Sequence, residues 1–394
     1  MQLCLEILFW CSLAVVIYTY IGYAVILYIL VKIKELFVSA VQPELPEELP
    51  DVTLFIAAYN EEEVIEEKMA NCYDLDYPKD KLKILWVTDG STDSTNDKLA
   101  EYPGITVLYQ PQRNGKTAAL NRGVPFVKTP FTVFTDANTM LNRDAIKEMI
   151  RPFGNARIGC VAGEKRIAVK DADNASSGGE GFYWKYESKL KAWDARLYSA
   201  VGAAGELFAI RTDLFEPMPQ NTLLDDFILS MRIAEKGYKI AYSSSAYALE
   251  TGSADIKNEE KRKVRIAAGG LQAIIRLRSL LIPNPFRLGI LRFQYLSHRV
   301  LRWSITPVLL FLLFPLNLLI SCLYPSNLYA ILLGLQILFY LLGAIGAMQQ
   351  KKHIKNKILF IPYYFLFMNL NVLKGFFYLK KKGGKGTWEK AQRA

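Results

Sequence analysis

Three things are scarce in this chain of 394 residues. Closely spaced cysteines are missing: Cys4, Cys11, Cys72, Cys160 and Cys322 are scattered, which excludes a disulfide framework and a cysteine-rich zinc site. Charge is missing from two long runs, residues 7–31 and 303–350. A cleavable leader is missing too, because the first charge is Glu6 and the apolar run that follows exceeds the roughly 7 to 15 residues of a leader core.

What is there begins with membrane segments. A spanning helix needs about 20 apolar residues, so 7–31 predicts a retained anchor. Lys32 and Lys34 follow it, and the positive-inside rule then puts the next part in the cytoplasm. The run 303–350, with LYPSN as a turn, predicts a hairpin of two spans. The last apolar segment, 358–373, is broken by Asn369 and Asn371 and closed by Lys374. It predicts an interfacial or re-entrant segment with a cytoplasmic C-terminus, a third span being the alternative. The net charge of +10 gathers at 257–302 and 351–393, beside apolar runs, which fits an anionic membrane surface and no nucleic acid. FRLGILRFQYLSHRVLRW mixes arginine with Leu, Phe and Trp as a helix lying in the interface does.

Between anchor and hairpin the pattern changes period. VQPELPEELPD is a linker whose three prolines favour extended backbone. VTLFIAA (52–58), LKILWVT (82–88), ITVLYQ (105–110) and FTVFTD (131–136) are rich in β-branched and aromatic residues, the form of buried strands. Helix signals lie between them: acids heading EEEVIEEKMANCYD, an N-cap in DGST, then KTAALNRGVPFV. Strands alternating with helices predict an α/β domain with a mainly parallel, Rossmann-like sheet. Ligands bind beyond the carboxyl ends of such strands, where AYNE, TDGSTD and TDANT fall. Singly each could be a turn or cap; together they mark one polar edge. Further on, IGCVAGEKRIAV reads as a strand, DADNASSGGEG as a loop and FYWKYESKLKAWDARL as a helix. VGAAGELFAIR carries small residues that admit a close approach, and Asp225 and Asp226 open a further helix.

In this order the clusters resemble the processive membrane-embedded family 2 glycosyltransferases, the group that includes hyaluronan, chitin and cellulose synthases. The likeness covers almost the whole chain. It implies a GT-A fold and an inverting transfer from a UDP-sugar with Mg2+ or Mn2+. Ala58, Tyr59, Asn60 and Glu61 match the nucleotide-contacting loop, and Asp89 matches the residue that holds uracil or ribose, whose donors a strand-end carboxylate can accept. Lys116 and Asn121, in RNGKTAALN, are implied to meet phosphate and to line the donor pocket. Asp136 falls at the first aspartate of the D-x-D metal motif, whose cation neutralises charge on the leaving UDP. Asn138 replaces the second; its amide oxygen can ligate the ion but adds no charge.

The resemblance further makes Gly205, Glu206 and Asp225 acceptor-side residues and Asp226 the general base. Arg262 and Arg265, in RKVRI, stand at the Gln and Arg positions of the family's Q-x-x-R-W segment, Arg265 keeping a planar fork suited to phosphate. Ile266 stands where the Trp belongs, with Trp303 as a nearby substitute on the acceptor side. That loss weakens the case for long chains and leaves a short run of transfers, or one transfer to a lipid, open.

The implied division is an anchor at 1–34, a linker at 35–50, a GT-A domain at 51–255, a gating segment with interface helices at 256–303, a hairpin at 304–350, and a third apolar segment with a basic tail at 351–394. The implied protein is integral to the cell inner membrane, with its catalytic domain cytoplasmic and a glycan or lipid-linked acceptor. Two clear spans and an anchor are few for a channel, which raises a homo-oligomer or a partner subunit. Rival readings are a polyprenyl-phosphate single-sugar transferase, a non-catalytic nucleotide-binding membrane subunit, and a haloacid-type phosphohydrolase on FTDANT. The last needs a second aspartate where Asn138 stands.

Overall fold

The computed structural model describes residues 1–38, 43–167, 175–250, 256–282, 289–351 and 357–382. Most of the expected linker is among them, while residues 171–174 of the loop expected at 171–181 and the basic tail beyond 382 lie outside; the remainder of that loop, from Ala175, is helical instead.

The uncharged N-terminal run forms one continuous helix, made of α1 (Gln2–Ile17), a π-helical turn (Tyr18–Gly22) and α2 (Tyr23–Phe37). The four apolar runs that follow form β1 (Val52–Ala58), β2 (Leu82–Asp89), β3 (Thr106–Gln110) and β4 (Phe131–Asp136). Between and after them come α3 (Ile65–Asp74), α4 (Thr95–Ala100), α5 (Lys116–Gly123), β5 (Met140–Leu141) and α6 (Ala145–Ile150). The second half of the domain holds β6 (Ile158–Ile167), α7 (Ala175–Leu197), β7 (Leu207–Arg211), α8 (Asp225–Glu235) and β8 (Lys239–Glu250). After it come α9 (Ile256–Arg276), α10 (Gly289–Tyr295), α11 (Leu301–Trp303), α12 (Ile305–Leu323), α13 (Asn327–Lys351) and α14 (Lys357–Lys382).

All eight strands share one sheet in the order β3-β2-β1-β4-β7-β6-β8-β5. β1 to β4 are parallel as the alternation predicts, but β7 runs antiparallel to both β4 and β6. The sheet is therefore mixed. The reversal has a consequence for the site: β7 starts where β4 ends, so the segment before it joins the carboxyl edge.

Side chains alternate along a strand, and here both faces are covered. Phe55, Val87 and Phe134 pack with Leu120, Phe208 and Phe227 on one side; Leu54, Ile56, Trp86 and Val133 pack with Ile65, Met69 and Met149 on the other. Phe134 and Phe208 stack across the antiparallel pair at 4.7 Å. Each large side chain buried in this way contributes roughly 1.5–3 kcal/mol, and a one-residue slip would expose the set. The register is thereby fixed: Ala58 pairs with Thr88, Ala57 with Asp136 and Thr135 with Leu207. Asp136 and Glu206 consequently stand level with each other at the carboxyl edge, and Asp89 lies two positions further along its strand.

Among the described residues, four helices are long and apolar enough to cross a membrane: Gln2–Phe37, Ile305–Leu323, Asn327–Gln350 and Ile358–Lys381. Polar contacts cluster where the π-helical turn meets them. Tyr18 bonds Ser297, Thr19 bonds Thr306, and Tyr20 bonds Asn369 of α14. The third apolar segment, expected at the interface or as a re-entrant loop, is a single helix that packs along α9, with Gly375 against Ala267 and Ala268 and Lys374 paired with Glu260. The arginine-rich stretch before the hairpin departs further from expectation. It folds as α10, a π-helical turn (Leu296–Val300) and α11, and its His298, Arg299 and Arg302 are buried. Acidic partners on α7 draw them inward.

Candidate active site

The loops after β1 and β2 are fastened to each other. Asn60 adopts a left-handed backbone (φ 53), which its short polar side chain tolerates. Its side-chain oxygen accepts from the Thr92 amide at 2.8 Å, its own amide N–H donates to Ser91, and the Glu61 N–H donates to Thr95 Oγ1 at 2.8 Å. Tyr59 lies under the Arg113 guanidinium at 3.7 Å, a cation–π stack. Gly90, at φ +70, brings its Cα against the Arg113 backbone; a Cβ there would come within 2.7 Å of Arg113 N. Asp89 is buried, and its carboxylate accepts the N–H groups of Asn114 (3.0 Å) and Gly115 (2.6 Å). It thus clamps the loop that starts α5.

That loop delivers Lys116. Its Nζ sits 2.5 Å from Asp136 Oδ1 at the end of β4. Burial would lower the Lys116 pKa, but Asp136, Asp225 and Asp226 together hold it above the ordinary range. A Cβ added to Gly205 would lie 3.1 Å from Lys116 Nζ and 3.3 Å from Asp226 Oδ2. The ammonium and the second carboxylate therefore face one another across a glycine floor, no further apart than those two distances combined.

Asp225 and Asp226 head α8. Asp226 Oδ1 accepts the Phe227 N–H at 2.8 Å, and Ser230 Oγ donates to the Asp226 carbonyl. Burial first, and then the neighbouring Asp225, push the Asp226 carboxyl up to about 7. Asp225 is buried with its Oδ2 unbonded among the described residues. Arg265 of α9 feels Asp225, Asp136 and Asp226, although burial dominates and lowers its pKa. Trp303 packs edge-on against Phe227 at 5.0 Å and covers Gly270, so it touches the residue next to Asp226.

Among the described residues no three His, Cys, Asp or Glu side chains converge to cage an ion. Asp136 and Asn138 nevertheless offer hard oxygen donors, and the Asn138 side chain has no hydrogen-bond partner among the described residues. One or two protein oxygens completed by substrate phosphates is a usual arrangement for Mg2+, so the pair fits a shared ion and not a closed cage.

Three sequence assignments are altered by the geometry. Asn121 spends both ends of its amide on the Met218 backbone, at 2.6 and 2.9 Å, and staples α5 to the segment before α8. Arg262 pairs with Glu250 (3.5 Å) and Glu259 (3.4 Å). Glu206 is not an open wall: it pairs with Lys165 at 2.5 Å, and Lys165 also pairs with Glu250. Burial would raise the Glu206 pKa, but Lys165 holds it well below the usual carboxylate range.

Sequence reasoning missed several charged residues. Lys68 of α3 is fully buried and donates to the Thr139 carbonyl at 2.5 Å, bracing the turn that carries Asp136 and Asn138; burial lowers its pKa to about 8. Lys165 stands inside an apolar strand, a signal that was legible. Glu187 and Asp194 of α7 hold His298, Arg299 and Arg302: Glu187 meets Arg299 at 2.5 Å and Arg302 at 3.0 Å, and Asp194 meets His298 at 2.6 Å. Nothing in local sequence marks that set.

Residues 53–218 match the family model of Glycosyl transferase family 2. The chain is 28% identical over 261 residues to poly-beta-1,6-N-acetyl-D-glucosamine synthase of Staphylococcus aureus, across 63% of this chain and 61% of the relative. It is 28% identical over 259 residues to beta-monoglucosyldiacylglycerol synthase of a Nostoc species, across 62% of this chain and 54% of the relative. The match thus spans under two thirds of either curated relative. The mannosyltransferase PcManGT from Pyrobaculum calidifontis, solved with GDP-Man and Mn2+, shares the fold with a TM-score of 0.71 at 21% identity, over 95% of this chain and 99% of that one.

Proposed function

We propose that the chain is an inverting, membrane-bound glycosyltransferase that moves a sugar from a UDP-sugar to a glycan or lipid-linked acceptor, with Asp226 as general base. One observation carries this reading. The Lys116–Asp136 pair and the Asp226 carboxylate flank Gly205 from two sides, a gap scaled to a sugar between its leaving diphosphate and its attacking hydroxyl.

In this reading Asp89, with the Tyr59–Arg113 stack, receives the nucleoside. Lys116 meets the diphosphate and Arg265 approaches it from α9, because fixed cations stabilise charge that grows on the leaving group. Asp136 and Asn138 would hold Mg2+ or Mn2+, which when bound supplies Lewis-acid neutralisation of the diphosphate. Asp226 takes the acceptor proton as its oxygen attacks the anomeric carbon and the bond to UDP breaks. A base works best with a pKa near the working pH, and burial beside Asp225 brings Asp226 there.

The working parts are the domain 51–255, the gating segment 256–303 and the membrane helices on either side. Lys34 ties the anchor to that domain by donating to the Arg196 and Leu197 carbonyls. Lys32 and Lys34 after the anchor support a domain on the cytoplasmic face of the cell membrane. The relatives, one a polysaccharide synthase and one a glycolipid synthase, support surface glycan or glycolipid synthesis as the biological role.

The test is Asp226→Asn, assayed by UDP release and product formation across a panel of UDP-sugars with Mn2+. Loss of a general base costs roughly 10²- to 10⁴-fold, so turnover should fall by that much while UDP binding persists. Transfer near the wild-type rate would sink the assignment.

A further inference from the structure

We infer that Lys68 of α3 is a positioning residue for the transfer: through Thr135 and Thr139 it fixes the turn that presents Asp136 and Asn138 to a divalent cation, and fixes that turn relative to the Gly205 floor. The inference rests on the proposed transfer reading, since it assigns a supporting residue to the metal pair of that site.

Lys68 is an exception within its own helix. The other buried residues of α3, Ile65, Met69 and Cys72, are apolar and pack against one face of the sheet, and an apolar side chain at 68 would continue that surface. A fully buried ammonium is costly to desolvate unless its donors are used. Breaks of a local rule of this kind concentrate at functional sites. Here the donors are spent on a single turn, and the charge of Asp136 acts on the ammonium from that same turn.

Lys68 Nζ donates to the Thr139 carbonyl at 2.5 Å and to Thr135 Oγ1 at 3.3 Å. Thr135 precedes Asp136 and Thr139 follows Asn138, so the two bonds bracket the metal pair. The threonines close the bracket. Thr139 Oγ1 donates back to the Asp136 carbonyl at 3.0 Å, and the two hydroxyls lie 3.0 Å apart. Thr135 Oγ1 also donates to the Glu206 carbonyl at 2.9 Å, which ties the turn to the residue after Gly205. Lys68, Thr135 and Thr139 are all at most 2% exposed, so water does not replace a lost bond.

Further along α3, Asn71 exchanges two bonds of 2.8 Å with the Leu141 backbone, so one helix holds the chain from Thr135 to Leu141. Two protein oxygens are few ligands for an ion, and their aim then depends on what stands behind them. Loss of such outer partners costs about 10- to 100-fold in metal affinity. The loops that carry Tyr59 and Asp89 are fastened by other bonds, from Asn60 to Ser91 and from Gly115 to Asp89. Removing Lys68 should therefore weaken the ion and spare the nucleoside.

The experiment titrates Mn2+ into the full chain in detergent with UDP present, reading free Mn2+ by electron paramagnetic resonance, and measures UDP binding separately in EDTA. Lys68→Met keeps the stem and deletes the donor. It should weaken Mn2+ binding at least about tenfold, with UDP affinity in EDTA unchanged. Thr139→Val removes one hydroxyl at nearly constant shape and should weaken Mn2+ binding in the same direction; Thr139→Ser, which keeps the hydroxyl, should restore it. Unchanged Mn2+ affinity in Lys68→Met overturns the inference; if that variant does not fold, unchanged affinity in Thr139→Val does so instead. A UDP affinity in EDTA that falls in step also overturns it, by marking Lys68 as general packing, and so does a Thr139→Ser chain no better than Thr139→Val. UDP release by a wild-type chain that binds no Mn2+ would sink the inference and leave transfer standing. The expected Mn2+ response without UDP release from any donor would defeat the transfer reading and leave the positioning role in place.

Discussion

Two regions of the molecule hold their polar groups in opposite ways. The edge proposed to take the donor is fastened by contacts between neighbouring loops: Asp89 by the amides of Asn114 and Gly115, Asn60 by Thr92. The junction of α7 with α10 and α11 is fastened by buried ions more than a hundred residues apart in sequence, Glu187 with Arg299 and Arg302 and Asp194 with His298. Each contact of the first kind joins one neutral amide to its acceptor, and at the exposed Asn60–Thr92 contact water can replace the lost partner. The second kind has no such replacement, because removing one ion strands its partners in a dry interior.

The comparison can be broken in order of effect. Glu187→Ala should cost about 3–5 kcal/mol, leaving Arg299 and Arg302 buried without their anion, read as a lower thermal midpoint of the purified chain; a loss below about 1 kcal/mol would show the junction to be solvated. Asn121→Ala should cost about 1–3 kcal/mol by orphaning the Met218 backbone, with the affinity for UDP unchanged. A large drop in UDP affinity at unaltered stability would instead return Asn121 to the donor pocket.

The pH dependence follows from Asp226. A base titrating near 7 is protonated below it, so turnover should fall about tenfold per pH unit on the acid side. Stability runs the other way. The folded pKa is raised above the unfolded value, so this group favours the fold fully below about pH 4. That contribution is lost as pH rises through about 7. A rate profile flat from pH 5 to 8 would remove Asp226 as the titrating base. The smallest effect is expected from Asn138→Asp, which adds one anionic ligand beside Asp136. The metal concentration for half-maximal activity should drop, by less than about tenfold because the diphosphate supplies much of the binding. No change would place Asn138 away from the ion.

Much of the donor edge was legible because its motifs are local. A strand-end aspartate, a glycine turn and a helix N-terminus occupy adjacent positions in sequence, and period-2 apolar runs announce the strands between them. The same logic misjudged the arginine-rich stretch before the hairpin. Alternating Arg and Leu reads as an interfacial helix, yet the partners that bury Arg299 and Arg302 lie on α7, and no pattern within 289–303 reports them. The role of Asn121 as a staple was invisible for a related reason: the Met218 backbone that claims its amide is 97 residues away.

The sequence by itself determined the apolar segments, the four parallel strands and the polar residues at their carboxyl ends, since each depends on spacing within a few residues. Only the tertiary structure decided that β7 reverses and brings Gly205 between Lys116 and Asp226, that Glu206 is spent on Lys165, and that Glu187 gathers Arg299 and Arg302. Those outcomes depend on which distant side chains share one low-dielectric interior, where a charge's cost is set by its neighbours in space.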